Sequence, residues 1–560
     1  MRCLLTTLNA KYIHSNLAIR ILYALNRHHA SLDWKEFTIK EDASDIARSC
    51  ATYELVAFSC YIWNITQTLE VCRQIKQINP ETKILLGGPE VSYDYHEVIV
   101  RDEVDLIIVG EGEQPFSTLL QKWPEVTGIP GVVSKSGSQI CYLPNNETFA
   151  LEKLEGINPY AFDEIETLRP KVLYIETSRG CPYKCEFCLA SLDNKVRYLP
   201  MERIKDNLLF LMHHGKTIKF LDRTFNMKRD FTLNIFQFIL DHHQADNVFQ
   251  FEITADILHH DIIAFIQEKV PPGLFRFEIG IQTVNQQANL EVKRKQNFER
   301  TTSIIRQVEK YVTLHLDLIV GLPLDYLDDI RHSIDSVFAL YPPELQLGFL
   351  KFLKGTPVRE RYQEYGYVFD PLPPYEIIES RFLSRHELQQ IRALEHGLET
   401  YWNKPRLALS LQYISQKEGV FEILTLLGAR LSDVKSPTLL NIYELAHQPI
   451  AAKYTDDVVI QILFALDYYR HFFIKPAPRF VDLWPKGKWL PLLEQRNYQV
   501  HSLRYHVFSV PFDVQHYLDT GKLLWGEFVV VFEYNGKTSP RMDCIPHQDL
   551  LLRSQETLKV

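Results

Sequence analysis

The chain of 560 residues carries 61 Lys and Arg against 70 Asp and Glu, a formal net charge of −9, with 46% hydrophobic and 23% charged residues. This acidic balance excludes a general electrostatic pull toward nucleic acid or an anionic membrane surface, so nucleic acid is not an expected partner. The apolar content is ordinary for globular chains, and the length provides for roughly three or four domains.

"MRCLLTTLNAKYIHSN" at the N-terminus lacks the apolar core and small-residue cleavage site of a signal peptide. No apolar run reaches the ~18 residues of a spanning helix. The nine cysteines are odd in number, and six of them are scattered at 3, 50, 60, 72, 141 and 544. They make no disulfide framework and suit a reducing compartment. The expectation is a cytoplasmic protein without membrane contact.

In chain order, residues 2–9 read as a strand, 16–29 as an amphipathic helix, 55–63 as a buried strand and 65–79 as a helix. Residues 83–88 and 104–110 read as two more strands. Continuous apolar strands separated by helices predict a doubly wound parallel sheet over 1–135. Its strands end in polar or glycine-rich turns, "NAKYIHS", "CYIWN", "GGPEVS" and "GEGEQ". Turns of this kind line the crevice at the carboxyl ends of a parallel sheet, where ligands bind.

A connector rich in Pro, Gly and Asn spans 136–170, and a second series starts at "KVLYIETSRG". Its strands lie near 171–178, 217–222, 249–254, 274–281, 313–320 and 344–351, with helices such as 201–215 and 229–243 between them. Six such units predict a partial (β/α)6 barrel over 171–365, with its chemistry at the C-terminal strand ends. The basic run "KRKQNFER" (293–300) reads as a solvated helix face.

From 366 the pattern changes. "PLPPYEIIE" reads as a linker, "SRHELQQIRALEHGLETYWN" as a long helix, and "YHVFSVPFDV" and "GEFVVVFEYNG" as late strands. A mixed α/β domain is predicted over 366–560, and no catalytic signature is visible in it. Its tryptophans Trp402, Trp484, Trp489 and Trp525 serve a core as readily as a binding surface.

The chemistry concentrates in "ETSRGCPYKCEFCLAS" (176–191), where Cys181, Cys185 and Cys188 fall within eight residues. Three thiolates at this spacing hold three irons of a 4Fe–4S cluster and leave the fourth iron open, since cluster irons are normally held by four cysteines. Gly180 and Pro182 set a turn, and Tyr183 and Phe187 screen the cluster from water. Zinc favours four ligands, often as two CxxC pairs, and no second pair is present. A chance trio of buried cysteines is the remaining alternative.

"RGCPYKCEFC" resembles the signature of radical S-adenosylmethionine (SAM) enzymes. The likeness continues through "FEIGIQTVN" (277–285), "LDLIVGLP" (316–323) and "LKGTP" (353–357), and so covers about 171–360. It implies that SAM chelates the open iron and is split by one electron to a 5′-deoxyadenosyl radical that takes a hydrogen atom from substrate. It also suggests roles for side chains at the strand ends. Glu252 would meet the ribose hydroxyls and Gln282 would line the same pocket. Arg294 would pair with the SAM carboxylate, as a guanidinium matches a carboxylate bidentately. Asp222 would meet the amino group, although the family's "GGE" segment is replaced there by "FLDRTFN".

The turns "GGPEVS" and "GEGE" before such a barrel resemble the cobalamin-binding domain of cobalamin-dependent radical SAM enzymes. Gly87, Gly88, Gly110 and Gly112 allow close backbone approach to a large planar ligand, while Asn9, Ser59, Asn64 and Glu111 offer bonds to corrin amides. A nucleotide on the same crevice is the alternative. No "DxHxxG" occurs, and His14 is read as a polar or packing residue rather than a cobalt ligand. The resemblance implies an enzyme using a 4Fe–4S cluster, SAM and cobalamin, above all a methyltransferase acting on an unactivated carbon. Rearrangement or cyclisation without methyl transfer, and an iron–sulfur binding or RNA-modifying protein, are the alternatives. Expected partners are a small-molecule or peptide substrate and an electron donor such as flavodoxin or ferredoxin.

Overall fold

The computed structural model describes residues 1–29, 31–137, 139–494, 496, 498 and 504–549. The chain divides into two compact units, one of residues 1–333 and 346–385, the other of 334–345 and 386 onward.

The first unit opens with β1 (Cys3–Asn9), α1 (Leu17–Asn26), β2 (Leu32–Thr38), α2 (Ala43–Cys50), β3 (Leu55–Ser59) and α3 (Ile65–Ile78). Next come β4 (Lys83–Gly87), β5 (Leu106–Ile108), α4 (Glu113–Lys122), β6 (Val132–Ser136) and β7 (Gln139–Tyr142). The sheet order is β2-β1-β3-β4-β5-β6-β7, parallel through β5 and antiparallel beyond. Alternate strand residues feed two cores. Leu4, Val56 and Ile84 pack with Ile46 of α2 and Val71 of α3, whereas Leu5, Ala57 and Leu85 pack with Ile19 of α1 and Phe116 of α4. Helices therefore cover both faces, as the buried parallel strands require. Side-chain caps start the early helices: Asn16 accepts from the Ile19 N–H and Asp42 from those of Ser44 and Asp45.

Two differences from the sequence reading stand out. β2 is an edge strand whose burial alternates, so it carries no continuous apolar run. The β6–β7 hairpin extends the first sheet to Tyr142, into the segment predicted as connector.

The barrel strands are β8 (Val172–Ile175), β9 (Thr217–Phe220), β10 (Val248–Glu252), β11 (Phe275–Gln282), β12 (Thr313–Val320) and β13 (Glu344–Phe349). They lie side by side in chain order, parallel from β8 to β12. Helices Met201–His214, Arg229–His242, His260–Lys269, Phe298–Val308 and Leu327–Phe338 connect them. Burial along β11 alternates strictly, with Phe275, Phe277, Ile279 and Ile281 against the helices and Arg276, Glu278, Gly280 and Gln282 on the other face. On the helix side Phe220 and Phe251 stack 4.4 Å apart. At the open edge, the loop after β1 pairs with β8: the Val172 N–H donates to the Ile13 carbonyl at 2.7 Å and Ser15 Oγ to the Val172 carbonyl at 2.9 Å. The predicted linker at 371–379 is ordered against this unit, with Tyr375 buried and donating to Glu90.

The second unit begins with helices Arg385–Tyr401, Ala408–Glu418, Phe421–Ser432, Leu439–Lys453 and Val458–His471. A three-stranded antiparallel sheet follows, Tyr505–Phe512, Trp525–Glu533 and Arg541–Pro546. Two further helices, Lys486–Glu494 before the sheet and Val514–Thr520 between its first two strands, make the unit mixed. Trp402 and Trp489 are core residues, while Trp525 is exposed. No described helix is long and apolar enough to cross a membrane.

Candidate active site

Within the first unit the carboxyl ends of the first sheet face the mouth of the barrel across a cavity of about 1040 Å³. Sites for small ligands and cofactors commonly run to roughly 300–1,000 Å³, so this one is sized for a large molecule. One wall carries Asn9, Ser59, Gly87, Gly88, Gly110 and Gly112, and beneath them Leu5, Ile19, Leu85 and Phe116 give an apolar floor. The opposite wall comes from the barrel: Tyr174, Glu176, Ser178, Arg179, Phe187 and Cys188.

Two glycines do different work here. Gly88 has φ +106°, and a Cβ on it would lie 2.5 Å from the Cys60 carbonyl oxygen, so this turn closes on its own backbone. Gly110 has φ +79°, and a Cβ there would meet nothing within 4 Å. Its missing side chain leaves open space on the cavity wall. Two predicted wall residues do not face the cavity. Asn64 is buried and spends its amide on the Leu8 and Ser59 carbonyls, both at 3.1 Å, while its oxygen accepts from the Tyr61 N–H at 2.8 Å. Glu111 accepts from Arg179 at 3.0 Å, Arg197 at 2.7 Å and the Phe149 N–H at 2.9 Å. Both are corrections to the sequence reading: their polar atoms are committed to protein.

The cysteine loop is tightly braced. The Cys181 N–H donates to the Asp193 carbonyl at 2.9 Å, and Ser191 Oγ donates to the carbonyls of Cys185 and Cys188 at 2.8 and 2.6 Å. Cys181 and Cys185 are buried, whereas Cys188 is half-buried on the cavity wall. Burial pushes the Cys181 and Cys185 thiols up, and the Arg223 guanidinium near Cys181 and that of Arg294 near Cys185 pull them back toward thiolate. A thiophilic metal centre takes such thiols as thiolates and releases their protons.

Arg294 is no solvated surface residue. Its Nη1 lies 3.8 Å from Cys185 Sγ, and Nη2 donates to the Gly280 carbonyl at the end of β11. Gln282 follows at φ +69° with Oε1 buried and without a partner among the described residues. Glu252, at the end of β10, lies 3.5 Å from Arg223. Burial raises its carboxyl while Arg223 and Lys219 lower it. Gln282 and Glu252 therefore end the neighbouring strands β11 and β10, and Arg294, from the loop that follows β11, reaches both Gly280 and Cys185. Asp222 does not join them. It is buried and accepts from the Thr177 N–H at 3.1 Å and from Thr177 Oγ1 at 2.6 Å, with a third bond from Ser178. Burial pushes its carboxyl up to about 6. Its neighbours Leu221 and Arg223 reach the cavity wall instead.

Sequence reading missed three features. Arg179 is clamped by carboxylates; the signal was its place beside the first cysteine. Arg223 stands between Glu252 and the thiols, masked by the unfamiliar "FLDRTFN". The barrel interior is charged, with Lys219 paired to Glu278 at 2.7 Å and His315 to Asp317 at 2.9 Å, which only strand alternation across the assembled barrel reveals. His14 keeps a polar role: its Nδ1 lies 2.8 Å from the Tyr174 hydroxyl.

Comparison with known proteins matches three family models in order: B12 binding domain at residues 4–120, Radical SAM superfamily at 175–337, and Protein of unknown function (DUF4080) at 363–429. The chain is 24% identical over 436 residues to 2-(S-pantetheinyl)-carbapenam-3-carboxylate methyltransferase of Streptantibioticus cattleyicolor, covering 66% of this chain and 61% of that protein. It is 30% identical over 342 residues to an uncharacterized methyltransferase of Pyrococcus horikoshii, covering 56% of this chain and 70% of that protein. Among solved structures, the cobalamin-dependent S-adenosylmethionine radical enzyme OxsB with aquacobalamin bound superposes with a TM-score of 0.59 at 15% identity, over 83% of this chain and 79% of that one.

Proposed function

The chain belongs to the family that joins a B12 binding domain to a radical SAM domain, and from that premise we propose that it is a cobalamin-dependent radical SAM methyltransferase acting on an unactivated carbon. One observation carries the reading: a single cavity has the glycine turns of the first sheet on one wall and Cys188 of the cysteine loop on the other. A corrin lying on those turns would face the cysteine loop across the cavity.

The residues present fit the groups. The open space at Gly110 suits a bulky planar ligand over an apolar floor. Three thiols with two guanidiniums beside them suit an anionic cluster. The orphaned Gln282 Oε1 offers an acceptor for a ligand donor at the end of β11. When bound, the cluster, SAM and cobalamin supply the reducing electron, the radical and the methyl carrier, and the protein's part is to place them and exclude water. Glu252 would accept from ribose hydroxyls and Arg294 would hold the SAM carboxylate, while Cys181, Cys185 and Cys188 take three irons. Asn9 and Ser59 would bond the corrin rim. Phe187 on the cavity wall narrows water's access to the loop.

The charged barrel interior of Lys219, Glu252, Glu278 and Asp317 supports a polar substrate, since an apolar one would desolvate these groups without return. A small one-electron carrier such as flavodoxin or ferredoxin would supply the electron. The test is anaerobic reconstitution with iron, sulfide and hydroxocobalamin, followed by mass spectrometry after reductant and SAM are added. Formation of both 5′-deoxyadenosine and S-adenosylhomocysteine supports methyl transfer. Deoxyadenosine alone would remove the methyl-transfer half of the proposal.

A further inference from the structure

Arg179 stands two residues before Cys181, where the barrel chain turns into the cysteine loop. Its guanidinium is only 14% exposed and is shared among three carboxylates. Nε donates to Glu176 at 2.7 Å, Nη1 to Glu111 at 3.0 Å, and Nη2 to Glu113 at 2.6 Å with a second bond to Glu176 at 3.1 Å. Glu111 and Glu113 belong to the turn and first residue of α4 on the crevice wall, whereas Glu176 belongs to the chain that leaves β8. Arg197 adds a second hold on Glu111 at 2.7 Å, and Arg203, buried nearby, feels Glu176 and Glu113. Arg197 also meets Asp193 at 3.4 Å, so three guanidiniums serve four carboxylates.

Although Arg179 lines the cavity, four of its five N–H donors go to carboxylates of the protein. What it does is join. Each bond runs from the cysteine-loop side of the cavity either to its own chain or to the crevice wall opposite. Only a planar fork reaches three carboxylates at once; an ammonium is a single point of charge. Without it, Glu111, Glu113 and Glu176 would repel one another in a partly desolvated seam.

We propose that Arg179 is a positioning residue that fixes the cysteine loop against the crevice wall and thereby sets the separation and orientation of the cluster and corrin sites. The inference rests on the two-cofactor reading above. It is tested on the full chain loaded with iron, sulfide and hydroxocobalamin and reduced until both centres are paramagnetic. Pulsed electron paramagnetic resonance then reads the spin–spin interaction between cluster and cobalt. Wild type is expected to give one well-defined separation. Arg179→Met is expected to keep its iron and corrin content but lose that single separation to a broad spread, and Arg179→Lys to restore it only in part. An unchanged interaction in a fully loaded Arg179→Met overturns the inference while leaving the proposed function intact. Should Arg179→Met fail to fold, the double variant Glu111→Gln with Glu113→Gln decides, because it weakens both carboxylate links from Arg179 to the crevice wall while leaving Arg179 on Glu176: an unaltered separation there overturns the inference. A wild-type chain that takes up corrin or cluster alone overturns the two-cofactor reading itself.

Discussion

Gly88 and Gly110 stand on neighbouring turns of the same crevice, yet alanine at each should fail in a different way. At Gly88 the new Cβ would sit 2.5 Å from the Cys60 carbonyl oxygen and 3.1 Å from the Cys60 nitrogen, both backbone atoms that cannot swing aside. The strained backbone at φ +106° costs about 1–3 kcal/mol and the overpacking about 1–3 kcal/mol more, so Gly88→Ala should lose about 2–6 kcal/mol. At Gly110 the φ of +79° brings only the backbone term of about 1–2 kcal/mol, because no atom lies within 4 Å of the new Cβ. That methyl group would instead occupy ligand space. Thermal unfolding of the full chain and a hydroxocobalamin titration followed by absorbance separate the two effects. Gly88→Ala should show a large drop in melting temperature. Gly110→Ala should melt near wild type yet bind the corrin about tenfold or more weakly, equivalent to ~1.4 kcal/mol. Equal melting losses, or wild-type corrin affinity in Gly110→Ala, would refute the assignment of that wall to the corrin.

Arg20 is buried and paired with Glu36 at 2.7 Å and Asp163 at 2.6 Å, so Arg20→Met should strand buried carboxylates and cost about 3–5 kcal/mol, read as a melting shift without loss of the cysteine loop's metal-binding capacity. In the second unit, Asp467 accepts from the Leu409 and Ser410 N–H groups, and burial pushes its carboxyl up to about 7. With the folded value raised, the native state holds a proton that the unfolded chain releases above pH ~4, so stability falls as pH rises from about 4 to 7. Asp467→Asn should flatten that slope in urea midpoints taken across the window; an unchanged slope would refute the assignment. Cys188→Ala should abolish iron uptake while leaving hydroxocobalamin binding near wild type, because Cys188 stands on the wall opposite the glycine turns.

The parallel strands β1, β3, β4 and β5 of the first sheet and all six barrel strands were legible because each is an apolar run or a clean alternation. The cysteine trio announced itself by spacing within one loop. What the sequence hid depends on partners far along the chain. Asn64 and Glu111 look like ligand residues until their hydrogen bonds to Leu8 and to Arg197, 56 and 86 residues away, are seen. Asp222 sits at a strand end where a ligand belongs, yet Thr177 and Ser178 claim its carboxylate. Arg223, one position on, is the residue that meets Glu252. Neighbouring residues on a turn point in different directions, and no one-dimensional pattern tells which. The edge strands β2 and β7 escaped for the simpler reason that half-exposed strands lack a continuous apolar signal, while β6 is buried at its start but offers only Val132 and Val133 before turning polar.

The central claim is that Cys181, Cys185 and Cys188 hold a cluster with one iron left for SAM, across a cavity from bound cobalamin. Its most direct test is electron paramagnetic resonance of the reduced, reconstituted chain with hydroxocobalamin bound, recorded before and after SAM is added. The account predicts a cluster signal whose g values shift on adding SAM, as the open iron gains a ligand, and that vanishes in Cys185→Ala. A signal indifferent to SAM, or one that survives loss of any of the three thiols, would contradict it.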